Sequence, residues 1–204
     1  MTRPSSTADD IRFVKHLAEQ GAHAPLLSGR FMAWWGLLLS AAYLAHHCAL
    51  NGLLGGPYPA IFAWIWLPFA AVGALGHALL ARTMPPKAGS GSAGNRAARA
   101  VWLAAACTIV SMVVGSAVAA ETGARPATFD WVAPVGFGVY SCALIVTGSL
   151  SNNRVVTAAG VGAVIMVGLF TSLILSPDRY LVAAAGIVLT VLLPGLFLLR
   201  SEPR

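Results

Sequence analysis

The sequence predicts an all-α integral membrane protein, a bundle of six transmembrane helices with both termini cytoplasmic, and three observations carry that expectation. Of its 204 residues 57% are hydrophobic and only 10% charged, against about 25% charged in a typical soluble domain. The apolar residues fall into six runs, about 31–50, 60–81, 100–120, 131–150, 155–175 and 180–199, each close to the ~20 residues an α-helix needs to cross a hydrocarbon layer of ~30 Å. The basic residues sit in the gaps between these runs, which argues against a nucleic-acid surface despite a net charge of +6.

Orientation follows from the same gaps, because positive loops stay cytoplasmic. Arg3, Arg12, Lys15, Arg30, Arg82, Lys87, Arg96, Arg99, Arg154, Arg200 and Arg204 fall on one side and only Arg125 and Arg179 on the other. An even number of spans returns the chain to its starting side, in agreement. The organisation expected is a cytoplasmic segment 1–30, a transmembrane domain 31–199 with a basic cytoplasmic linker 82–99, and a short tail 200–204. The first apolar run begins too far in for the short basic start of a signal peptide, so the first helix is expected to stay in the mature protein. The compact, positive-inside layout is that of a bacterial inner-membrane protein.

Taken in order, the amino-terminal segment contains a predicted amphipathic helix over about 8–20. Thr7 caps it, Asp10 three residues on resembles a capping box, and Gly21 stops it. Ile11, Val14, Leu17 and Ala18 share one face, which either lies along lipid headgroups or docks a cytoplasmic partner. The 82–99 linker is rich in Pro, Gly and Ser and holds no phosphate-binding glycine motif.

The first span ends in "YLAHHCALNG". Successive helical residues point about 100° apart, so His46 and His47 cannot chelate one ion from one face. His77 on the second span lies at a depth roughly 15 Å away, which argues against a metal or haem shared with it; no motif requires a cofactor, and the metal question stays open. Ser40, Tyr43, His47 and Asn51 recur on one helical face with Gly36. Polar groups in hydrocarbon are costly and face the protein interior or a wet cavity, so this stripe is expected to face inward and His46 to sit at the membrane interface.

Later spans carry small residues at helical spacing, Ala104, Thr108, Ser111 and Gly115 on the third and Thr157, Gly160, Val164, Gly168 and Thr171 on the fifth, as tight packing requires. Pro68, Pro134 and Pro194 fall in the even-numbered spans and are expected to kink them. Trp34, Trp35, Trp102 and Trp131 read as interfacial anchors, with Trp64 and Trp66 just inside the outer boundary. Cys48, Cys107 and Cys142 are odd in number, lie in separate runs, and form no disulfide framework.

No carboxylate lies inside a span, unlike most ion-coupled pumps, and neither G-x-S-x-G nor H-E-x-x-H occurs. The balance is against an enzyme. One reading is a non-enzymatic accessory or regulatory membrane protein, partnered by the lipid bilayer, by another membrane or cytoplasmic protein, or by itself as a homo-oligomer. The alternative is a small permease or channel for a neutral solute that uses the Tyr43, His47 and Asn51 face.

Overall fold

The computed structural model describes residues 11–15, 29–54, 58–83, 93–122 and 126–201. It is helical throughout, with no strand among the described residues. We number the helices α1 (Gly29–Leu50), α2 (Tyr58–Thr83), α3 (Ala93–Glu121), α4 (Val132–Leu150, entered through a 3₁₀ segment Pro126–Trp131), α5 (Arg154–Ser172), α6 (Arg179–Ile187) and α7 (Leu193–Ser201), the last two joined by a π-helical turn Val188–Leu192. The six runs read from the sequence correspond to α1 to α5 and the continuous α6–α7 rod. Two boundaries differ: α2 extends to Thr83 and α3 begins at Ala93, so much of the expected linker is helix.

Among the described residues five stretches are long and apolar enough to cross a membrane: Ala63–Thr83, Ala93–Glu121, Phe129–Leu150, Arg154–Ser172 and Arg179–Arg200. Helix α1 has the length, 22 residues, but Arg30, Ser40, Tyr43, His46 and His47 dilute its apolar content. Of the amino-terminal helix expected over 8–20, residues 11–15 are helical, with Ile11 and Val14 exposed; Leu17 and Ala18 lie outside the described residues.

Local chemistry sets the helix ends. Gly52, at φ +72°, closes α1: Leu53 N–H donates to Cys48 C=O at 2.9 Å and Gly52 N–H to Ala49 C=O at 3.1 Å, satisfying carbonyls the helix would otherwise leave orphaned. Between α4 and α5 the chain turns in three residues. Asn152 adopts the left-handed conformation, φ 49°, and the Asn153 side chain accepts from Val155 and Val156 N–H at 3.0 and 3.2 Å as the α5 N-cap.

The prolines act differently from one another. Pro134 lies in the first turn of α4, where its missing N–H has no helical partner to lose. Pro194 follows the π-helical turn, in which Leu193 N–H reaches back five residues to Val188 C=O. That wider turn moves the Pro194 ring away from the carbonyl it would strike in a regular helix.

The helices pack side by side in the order of contact α2, α1, α6–α7, α5, α4, α3. Glycines set the closest approaches. A Cβ on Gly36 would stand 2.7 Å from Leu192 Cα, and one on Gly160 2.9 Å from Ile145 N. Thr157 and Gly160 therefore face α4 as the small-residue spacing anticipates, whereas Gly168 and Thr171, and Thr108, Ser111 and Gly115 of α3, are exposed. The first and last helices of that order, α2 and α3, do not pack along one another among the described residues. These are also the least covered helices: 6% of the α2 span and 11% of the α3 span are buried, against 33 to 39% for the other three.

Candidate functional site

The end of the bundle that holds Glu121, Asp130 and Asp178 contains a buried cluster of polar and aromatic side chains. His46, in the last turns of α1, is completely buried. Trp66 of α2 donates its indole N–H to His46 Nδ1 at 3.0 Å. An indole nitrogen only donates, so the accepting Nδ1 carries no proton and the neutral ring keeps its hydrogen on Nε2. The Tyr180 ring of α6 lies flat on the imidazole, centroids 3.9 Å apart and planes 14° from parallel. Tyr43 meets Trp66 edge-on at 5.3 Å and stacks on Tyr180 at 6.0 Å, and Phe170 of α5 closes against Tyr180 from the side. Four helices thus meet on one histidine and one tyrosine.

The cluster is tied to the 3₁₀ segment through a single carboxylate oxygen. Asp130 Oδ1 accepts from Tyr180 O–H at 2.7 Å and from Arg179 Nη2 and Nε at 3.0 and 3.3 Å. Arg179 also donates to Ser176 C=O at 3.0 Å. Asp130 and Arg179 side chains are only 19% and 13% exposed, and charge-assisted bonds in such surroundings exceed neutral ones in strength. Their effect is to fasten the entry of α4 to the start of α6.

A second pair repeats the histidine motif toward the opposite end. Trp35 of α1 donates to His77 Nδ1 of α2 at 3.2 Å, and Phe31 meets that imidazole at a tilt of 37°, centroids 4.6 Å apart. Trp35 faces His77, and eleven residues along each helix, in opposite directions, His46 faces Trp66, so the two helices exchange tryptophan for histidine. Eleven residues of helix is ~16 Å, so the histidines stand at separate levels, each with its own indole. Trp34 adds a bond to Gly73 C=O at 3.4 Å, and Trp102 of α3 donates to Thr147 of α4 at 3.1 Å. Trp34, Trp35, Trp66 and Trp102 therefore join helices, while Trp64 points outward, 78% exposed.

The stripe read from the sequence divides. Tyr43 is buried, Ser40 and His47 are half-buried, and Asn51 is exposed. Ser40 O–H donates to Leu37 C=O of its own helix at 3.0 Å. Asn51 donates to His47 C=O at 2.9 Å and lies 3.3 Å from His47 Nδ1. The interface position expected for His46 is corrected: Leu39, Ala42, Tyr43, His46 and Ala49 form the face turned inward, so the imidazole beside His47 occupies the core. Sequence reading did not single out Asp130 or Tyr180 and counted Arg179 only as a basic residue on the far side. Opposite charges at the ends of two spans on the same side were the available signal for them.

Among the described residues no three His, Cys, Asp or Glu side chains converge as metal ligands. Cys48 is half-buried, and Cys107 and Cys142 are exposed. A shallow, almost wholly apolar cleft of about 310 Å³ lies between Met112, Gly115, Ser116 and Trp131. Comparison with protein-family models, with characterised proteins and with solved structures gives no match.

Proposed function

We propose that the chain is a non-enzymatic accessory or regulatory protein of a bacterial inner membrane, with six spans and cytoplasmic termini. It acts by packing against a membrane partner or a second copy of itself, while the amino-terminal helix engages a cytoplasmic partner through the face of Ile11, Val14, Leu17 and Ala18. The observation that carries this reading is the uneven coverage of the helices: the interior is closed by interlocked rings around His46, whereas only 6% of the α2 span and 11% of the α3 span are buried. A scaffold with a rigid centre and two outward-facing helices is suited to lateral association. The same packing counts against the permease, since Tyr43, the centre of the supposed conduit, is wedged between Trp66 and Tyr180.

Cross-linking in intact membranes tests the proposal. Single cysteines replacing Leu75 on α2 or Val110 on α3, in a chain freed of its native cysteines, should trap a stoichiometric partner or a homodimer, and cysteine at Ala183 in the buried core should not. Absence of any trapped species from both outer faces, together with solute flux in liposomes, would reverse the preference in favour of transport.

A further inference from the structure

Five polar side chains are buried among the described residues: His46, Ser116, Ser141, Thr147 and Thr190. Four of them have partners. His46 accepts from Trp66, and the hydroxyls of Ser141, Thr147 and Thr190 donate to Gly138, Ala143 and Gly186 C=O of their own helices at 2.7, 2.6 and 2.7 Å. Ser116, only 5% exposed, makes no hydrogen bond through its side chain among the described residues. A hydroxyl withdrawn from water without a partner is costly, and a helical serine ordinarily avoids that cost by bonding back to the preceding turn. Ser116 instead lines the apolar cleft of about 310 Å³ that it shares with Met112, Gly115 and Trp131.

Helical spacing sets the position of the cleft. Ala105, Ile109, Met112, Ser116 and Ala119 recur on one side of α3 as its covered face, and α3 packs on α4 and on the 3₁₀ segment Pro126–Trp131. Gly115, beside Ser116, has nothing within 4 Å of an added Cβ, so the cleft is open on that side, and Trp131, 46% exposed, forms another wall. Ser116 stands five residues before Glu121, the end of α3, which is ~7.5 Å along the axis. A bilayer of about 40–45 Å around a hydrocarbon core of ~30 Å leaves a headgroup layer of roughly 5–8 Å on each side. With the Glu121 end of α3 at the bilayer surface, the hydroxyl reaches the base of that layer, where acyl chains join glycerol and tryptophan concentrates. An ester carbonyl there accepts a hydrogen bond and donates none, which suits a lone hydroxyl. No Lys or Arg lines the cleft, so headgroup charge is not the feature it selects.

We infer that the cleft between α3 and Trp131 holds the upper part of one acyl chain of a glycerolipid, with Ser116 O–H donating to the carbonyl of its ester. The inference goes beyond the accessory role and requires only that α3 lies in a bilayer. Val110, the α3 position chosen for partner capture, is about 120° around the helix from Ser116, so a lipid in the cleft leaves that face uncovered.

Native mass spectrometry of the full chain, delipidated in neutral detergent, tests the inference by titration with two phosphatidylcholines of equal chain length, one ester-linked and one ether-linked. The ether form keeps the headgroup and the chains but has no carbonyl. The first lipid bound should favour the ester form about fivefold, the size of one hydrogen bond. Ser116→Ala should abolish that preference and leave the affinity for the ether form unchanged, whereas Ser116→Thr, which keeps a hydroxyl, should retain it. Gly115→Leu, which fills the open side of the cleft, should weaken both lipids. Equal affinity of the native chain for the two lipids overturns the inference, as does a preference that survives Ser116→Ala or binding untouched by Gly115→Leu. Cross-linking from a cysteine at Val110 should be the same with serine or alanine at position 116, so failure of the partner reading would show there and leave the lipid result standing.

Discussion

Removing the indole beside His46 leaves a buried imidazole nitrogen without that donor, so Trp66→Phe is expected to destabilise the protein by about 1 kcal/mol beyond the loss of ring area. A double-mutant cycle of Trp66→Phe with His46→Leu, read by unfolding in mixed micelles, should return a coupling of that size. The Trp35 and His77 pair, which is exposed, should couple more weakly. The sequence alone distinguishes His46 from His47 poorly. Gly36 and Tyr43 belong both to the stripe that continues through His47 and to the one that continues through His46. Reading the larger polar residues as one inward face selected His47. The decisive facts, Trp66 and Tyr180 closing on the other imidazole, come from helices that periodicity within α1 cannot see.

Helix packing supplies sharper expectations. Gly36→Val places a side chain against the Leu192 backbone and should cost about 1–3 kcal/mol by overpacking. Gly115→Ala, where nothing lies within 4 Å of the added carbon, should be neutral or slightly stabilising because alanine favours the helix. Thermal unfolding of the two variants in the same detergent checks the contrast. At the acidic end, Asp130→Asn keeps an oxygen that accepts from Tyr180 but loses the charge facing Arg179, whereas Asp130→Ala loses both. Hydrogen exchange at Pro126–Trp131 should therefore rise for asparagine and rise further for alanine. The all-helical character was legible because each long apolar run folds as helix, whereas the extension of α3 back to Ala93 was not, since it lies in a Gly- and Ser-rich stretch. The π-helical turn was not legible: Pro194 announces a disturbed helix, but not whether the rod kinks or widens.

At the scale of the molecule, the proposed topology predicts that cysteine at Ser90 is labelled only from the cytoplasm and cysteine at Pro177 only from outside, in a chain lacking its three native cysteines. Labelling of both from one side would remove the six-span reading. That α2 and α3 do not pack along one another among the described residues was illegible, since the sequence shows which helices are apolar and not which neighbours cover them. The exchange of tryptophan for histidine between α1 and α2 also bears on biosynthesis. A helix that brings two histidines, a tyrosine and two tryptophans to the translocon partitions poorly by itself. With α2 beside it, His46 meets Trp66 and Trp35 meets His77, so part of that polarity is satisfied within the pair. Helices α1 and α2 should accordingly enter the bilayer as one hairpin. In a glycosylation-mapping assay α1 alone should integrate inefficiently and the α1–α2 pair well, with Trp66→Phe and Trp35→Phe together eroding the gain.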